Sequence, residues 1–232
     1  MLMPFILGSI FGSFLALFGQ RLALKQSAIT PRSHCQKCQT QLAWWQLIPI
    51  ISFIILKGRC HHCQTKLPTY LLVMEALVGL LALALKVFDL WQFSLLPLLL
   101  IILSGLLLSI TDLIALIVEP GIFYFFTLTI AITIWLLPTP FTFHVSSALV
   151  VYLSLKLLSV LLPNSLGGGD VKLLTSWALF LGWEAVTVII CLASSFALCY
   201  LGLSHRSSKT TPKLPFVPFL TSALIIYILL YY

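Results

Sequence analysis

Acidic residues are almost missing from this chain. Of 232 residues only six are Asp or Glu, against 13 Lys or Arg, and charged residues make up 8% of the total. A soluble domain carries about 25% charged residues, so this composition excludes a water-facing globular surface. With 60% hydrophobic residues and ~20 apolar residues needed per spanning helix, the chain has room for about eight spans and one sizeable loop. The run from Met1 to Arg21 lacks a basic n-region and a clear small-residue cleavage site, so it reads as a retained span and not as a signal peptide. There are no heptads, no repeat and no low-complexity tract. The basic residues fall in particular loops, not along a recognition helix, which argues against a nucleic-acid partner for the net charge of +7. A glycine run precedes Lys172, but the pattern of a phosphate-cradling P-loop is absent.

The fold class expected from this is an all-α polytopic membrane protein with about eight transmembrane helices and a small cytoplasmic zinc-binding loop domain. Residues 1–22 form the first span, where Gly8, Ser9, Gly12, Ser13 and Gly19 recur at a spacing that permits close helix packing in lipid. Residues 23–68 form the loop. Between Arg21 and Lys66 lie seven basic residues and no acid, so by the positive-inside rule the loop is cytoplasmic and the N-terminus outside. The remainder, 69–232, supplies spans near 69–87, 95–113, 121–137, 144–162, 170–183, 185–203 and 215–231. Alternation then puts the basic stretch with Arg206, Lys209 and Lys213 in the cytoplasm and the nearly charge-free connections near Asp89 and Leu137 outside, Asp89 standing where it can pair with Lys86. Gly182-Trp183-Glu184 is a thin hydrophilic break, but one long helix there would place Arg206 on the wrong side. Two spans are therefore expected.

The loop carries Cys35-Gln-Lys-Cys38 and Cys60-His-His-Cys63, two C-x-x-C knuckles about 21 residues apart. Four thiolates make a closed tetrahedral site suited to structural zinc, and a reducing cytoplasm argues against disulfides. His34, His61 and His62 could replace a cysteine in the shell but read rather as solvated neighbours, and Cys191 and Cys199 as packing residues in span seven. Between the knuckles, Leu42 to Leu56 is apolar but short and interrupted by Pro49. If it crossed the bilayer the knuckles could not share a metal, so it reads as an interfacial or re-entrant segment with Trp44 and Trp45 at headgroup level.

Charge inside a membrane costs several kcal/mol and marks function by default. Asp112 ends span three and Asp170 begins span six, at the same membrane face. Two carboxylates that meet across a bundle suit hydrolysis of an amide without a covalent intermediate: one takes a proton from water while the other, protonated, polarises the carbonyl. Gly167, Gly168 and Gly169 permit positive φ and leave no side chains, so an extended substrate backbone has access beside Asp170. Glu75 and Lys172 are accessory candidates. Glu119 and Glu184 lie at span ends, where a solvated carboxylate needs no further explanation. Competing readings are that Asp170 only caps its helix, that both acids are relay sites of a proton-coupled transporter, or that the chain is a non-catalytic membrane scaffold for the zinc module.

Taken together the residues resemble the bacterial type IV prepilin peptidase family, the GxGD-type intramembrane aspartyl proteases that also N-methylate their products. Gly12-Ser13-Phe14-Leu15 resembles the family's first-span motif, the paired knuckles its zinc loop, Tyr70 with Glu75 the entry to its second span, and Thr111-Asp112-Leu113 its first catalytic motif. Gly167-Gly168-Gly169-Asp170-Val171-Lys172-Leu173 fits the Gly-x-Gly-Asp signature with its following lysine. The chain departs from the family pattern at Ala16 and around Glu119-Pro120-Gly121. The resemblance implies Asp112 and Asp170 as catalytic acids, Cys35, Cys38, Cys60 and Cys63 as zinc ligands, and S-adenosylmethionine as methyl donor. It also implies prepilin or competence-pseudopilin precursors as partners, cut at the cytoplasmic face of the bacterial inner membrane.

Overall fold

In an apolar medium every backbone N–H and C=O needs a partner, and a helix supplies one within its own segment. The computed structural model, which describes residues 2–27, 32–87, 95–162, 166–204 and 214–231, is helical accordingly. In chain order come α1 (Leu2–Ala23), a 3-10 turn (Trp44–Leu47), α2 (Ile51–Ile55), α3 (Thr69–Val87), α4 (Leu96–Ala115), α5 (Pro120–Leu136), α6 (Val145–Leu161), α7 (Gly168–Ser204) and α8 (Val217–Tyr231). Four helices, α1, α3, α4 and α7, are long and apolar enough to cross a membrane, and α5, α6 and α8 are shorter apolar helices. Their ends lie within a few residues of the spans expected from sequence. The basic stretch with Arg206, Lys209 and Lys213, and the expected pairing of Asp89 with Lys86, lie outside the described residues.

The chain forms two compact units, Met1–Gln92 and Phe93–Tyr232. In the first, α1 presents a stripe of buried small residues, Gly8, Ser9, Gly12, Ala16 and Gly19, and α3 lies directly on it. A Cβ at Gly8 would come within 2.7 Å of the Ala82 Cβ, one at Gly12 within 2.7 Å of the Met74 carbonyl oxygen, and one at Gly79 within 2.5 Å of the Ser9 Oγ. Lipid tails give no hydrophobic drive between helices, so backbone proximity of this kind is what holds such a pair together.

The two knuckles are copies of one another. Cys35 to Leu42 and Cys60 to Leu67 both read Cys-x-x-Cys-Gln-Thr-x-Leu, and both close the same bonds: Gln39 N to Cys35 O and Gln64 N to Cys60 O, then Cys35 N to Thr40 O and Cys60 N to Thr65 O, all 2.8–3.0 Å. Gln39 and Gln64 share a left-handed φ of 57° and 55°. A short repeat is therefore present where none was expected. It escapes a search for architectural periods because it is one turn repeated, not one supersecondary unit. Between the knuckles the apolar segment is cut into the 3-10 turn and the five-residue α2, with exposed Trp44, Ile51 and Ile54.

In the second unit α4 is the central helix, buried at most positions from Pro97 to Asp112. Around it the fully buried side chains include Trp177, Phe180, Ile189, Leu220 and Leu224. α7 is broken at Gly182, whose φ of 88° and ψ of 167° are not helical. Unbroken, its 37 residues would extend about 55 Å, well beyond a hydrocarbon core of about 30 Å. Gly is the residue that takes such a φ without steric penalty, and the break falls at the hydrophilic position marked by the sequence. Cys191 and Cys199 differ from expectation. Both are exposed on the second segment of α7 and do not pack inside, because an all-apolar helix in lipid has no sequence pattern that separates its outer face from its inner one.

Gly79→Leu is expected to separate α1 from α3, at a cost of about 1–3 kcal/mol or more from overpacking. Thermal unfolding and membrane accumulation of the variant measure this. Gly121→Leu, at a position with nothing within 4 Å of a Cβ, should accumulate as the parent does.

Candidate active site and metal centre

Asp112 lies one turn before the end of α4 and is 7% exposed. The helix ends on Leu116 in the left-handed region (φ 54°, ψ 38°), whose N–H donates to the Asp112 carbonyl. An L-residue there costs roughly 1–2 kcal/mol. This turn delivers Leu116, Ile117 and Val118 to the wall of a cavity before α5 begins at Pro120. Across that wall stands Gly169: a Cβ on it would lie 2.5 Å from Val118 Cγ2. Close approach, not backbone torsion, is what this position requires.

Asp170 is the third residue of α7, inside its first turn and not before the helix. Its carboxyl lies against Gly167, where a Cβ would be 3.0 Å from Oδ2. None of Gly167, Gly168 and Gly169 has positive φ, so the torsional freedom expected of them is not used. Their small size is: Gly168 has open space where a Cβ would be, and Gly169 has none. Asp112, Asp170, the three glycines and Lys172 together line a single cavity of about 230 Å³. The sequence had put both acids at one end of the bundle, and they share one space there.

One partner of Asp112 was not foreseen. Val217 N donates to Asp112 Oδ2 at 3.0 Å in a buried bond. No residue type signals this, since the donor is main chain.

Glu75 is 8% exposed and has both oxygens occupied inside the first unit. Ser13 Oγ donates to Oε1 and the Ile50 N–H to Oε2, each at 2.7 Å. Ile50 holds a φ of 61° and ψ of −53°, a genuine outlier for a β-branched residue. Glu75 thus ties α1, α3 and the turn between the short helices to one another.

The four knuckle thiols converge. Cys35 and Cys63 Sγ are 3.7 Å apart, Cys38 and Cys60 Sγ 3.9 Å, and all four lie within 4.8 Å of one another. A tetrahedral ion bound at about 2.3 Å to sulfur has edges of about 3.8 Å, so the donor set fits a metal. The Thr65 hydroxyl, 3.2 Å from Cys63 Sγ, and the Thr65 backbone hold the Cys63 thiol down at about 6; Thr40 lowers Cys38 in the same way. His61 packs edge-on against Trp45, and among the described residues no histidine joins the cluster. A second cavity of about 580 Å³ lies in the same unit, between Phe14, Phe18, Arg21, Arg32 and Trp44.

Comparison with known proteins agrees with this division. Residues 6–88 match the model of the Bacterial Peptidase A24 N-terminal domain, and residues 98–202 that of the Type IV leader peptidase family. A prepilin leader peptidase/N-methyltransferase of Myxococcus xanthus is 32% identical over 82% of this chain, which spans 58% of that relative's length. One of Bacillus subtilis is 28% identical over 92% of this chain and 88% of its own. A type 4 prepilin-like proteins leader peptide-processing enzyme of Escherichia coli is 30% identical over 81% and 72%. No solved structure matches the chain.

The thiol cluster predicts about one divalent metal ion per purified chain by elemental analysis. Cys60→Ser should lose most of it and leave residues 32–67 open to protease, because metal binding of roughly 10–16 kcal/mol is the main source of order in so small a module.

Proposed function

Because the chain belongs to the type IV leader peptidase family and carries that family's prepilin leader peptidase/N-methyltransferase function, we propose that Asp112 and Asp170 are its hydrolytic pair. The observation that supports this is their common cavity. Two carboxyl groups in a poorly hydrated space share one proton and act as a unit. The ionised one accepts a proton from water, and the other donates to the scissile carbonyl oxygen as the tetrahedral centre forms. The open side of Gly168 leaves room for an extended substrate backbone, and Lys172 at the rim is an accessory cation.

The substrate is a prepilin or pseudopilin precursor, a hydrophilic leader joined to an apolar helix. Its junction is cut at the cytoplasmic face of the bacterial membrane. Dividing α7 at Gly182 gives eight spans, and the basic loop between α1 and α3 then sets the N-terminus outside and the knuckles in the cytoplasm. The exposed apolar residues between the knuckles, with Trp44 among them, rest at the headgroup level. Zinc suits the four-thiolate cluster and is structural there, since no coordination position is left open.

Methyl transfer needs a second site. The cavity of about 580 Å³ falls within the roughly 300–1,000 Å³ of small-molecule sites, and its lining fits S-adenosylmethionine. Arg21 and Arg32 would hold the carboxylate, and Phe14, Phe18 and Trp44 the adenine and the sulfonium-bearing chain. Bound there, the donor supplies an electrophilic methyl group to the new N-terminal amine.

Asp112→Asn and Asp170→Asn should each lower cleavage of a prepilin-like reporter in membranes by at least about 100-fold while the chain still accumulates. Wild-type cleavage by either would remove the pair. Mass spectrometry of the product N-terminus reads the other half: Arg32→Ala should release cleaved but unmethylated product, and full methylation by that variant would move the donor site elsewhere.

A further inference from the structure

α8 (Val217–Tyr231) lies beyond residues 98–202, the extent of the peptidase family match. It is nevertheless the helix that meets Asp112. Val217 is the first residue of α8, and Phe219 N and Leu220 N both return to the Phe216 carbonyl, so the Val217 amide has no acceptor within its own helix. Its side chain is fully buried, where an unpaired N–H would be costly. The acceptor it finds is Asp112 Oδ2 at 3.0 Å.

This contact is held in register by the packing of α8 on α4. One turn further along, the hydroxyls of Ser109 and Thr221 are 2.9 Å apart, and Thr221 donates to the Val217 carbonyl at 3.0 Å. Another turn along, Gly105 makes room for Thr221, whose Oγ1 would lie 3.0 Å from a Cβ there. Gly105, Ser109 and Asp112 share one face of α4 at helical spacing. α8 is thus placed by two contacts and delivers its free amide at the third. The Asp170 carboxyl lies instead against Gly167, where a Cβ would be 3.0 Å from its Oδ2.

We infer that the Val217 amide is a positioning donor of the catalytic centre, and that α8 thereby makes Asp112 the ionised member of the pair, the base that takes the proton from water. The inference rests on the proposed aspartate pair. Water supplies the nucleophilic oxygen; its proton goes to Asp112, and the proton of Asp170 goes to the carbonyl oxygen, so no further reactant is needed. Among the described residues, the other ionisable groups around the cavity are Asp170 and Lys172 on α7 and Tyr124 on α5. α8 carries no Asp, Glu, Lys, Arg or His.

Val217→Pro tests it, because proline at the first helical position removes the N–H with little penalty to the helix. With full-length enzyme in membranes and a prepilin-like substrate, the acid limb of the pH–rate profile should move up by roughly 0.5–1 unit. Rates on that limb should fall about three- to ten-fold, with the alkaline limb and KM in place. Val217→Ala, which keeps the amide, should retain the wild-type limbs whatever its rate. A proline profile that superimposes on the alanine one overturns the inference, and a shift of the alkaline limb alone assigns the charge to Asp170 instead. Activity surviving in Asp112→Asn would overturn the pair itself, a distinct outcome. Should the proline chain not accumulate, deuterium exchange of residues 214–220 decides. Those amides should exchange faster in Asp112→Ala than in the parent, and equal exchange overturns the inference.

Discussion

A carboxylate inside an apolar bundle must be given its hydrogen-bond donors by the fold, because the surroundings have none to offer. The two best-buried acids among the described residues, Asp112 and Glu75, both meet this constraint with main-chain amides that no helix is using. For Asp112 the donor is the first amide of α8. For Glu75 it is the amide of Ile50, freed by a backbone turn that a β-branched residue rarely adopts, together with the Ser13 hydroxyl. Among the described residues neither forms an ion pair with Lys or Arg. A fixed dipole holds a carboxylate in place without cancelling its charge, which for Asp112 suits the proton exchange proposed for it.

The glycines serve several different needs. Gly8, Gly12 and Gly79 bring two backbones together. Gly169 yields space to Val118 at the cavity wall, Gly168 keeps an approach open, and Gly182 alone in α7 bends the chain by its torsion. Of these only Gly182 uses the conformational freedom for which a glycine run is usually read; Gly58, in the knuckle loop, has a positive φ of 66° as well. A stretch of three glycines before an aspartate is therefore better understood here as missing side chains than as flexible backbone.

The knuckles show how a module with almost no core is made orderly. Two copies of one turn bring four sulfurs to the spacing of a tetrahedral site, and a threonine two residues after the second cysteine of each copy lowers the thiol that must lose its proton. The repeat was legible in the sequence as Cys-x-x-Cys-Gln-Thr-x-Leu, but it is recognised as one only when the duplicated hydrogen bonds are seen.

Much of this protein is determined by composition and spacing. Apolar runs of sufficient length must be helices in lipid, so the helices and the break at Gly182 follow from the sequence. Four cysteines in two knuckles read as a candidate metal site, and their convergence bears out the donor set; two isolated acids at helix ends read as candidates for chemistry. All of these are local properties, carried by residue type and distance along the chain. What the tertiary structure decided is pairwise and remote: that α1 takes α3 along its glycine stripe, that Asp112 and Asp170 open onto one cavity, and that α8 lends Asp112 an amide across a sequence separation of 105 residues. Uniformly apolar helices carry little pattern to say which face meets which neighbour, and a main-chain donor has no letter in the sequence.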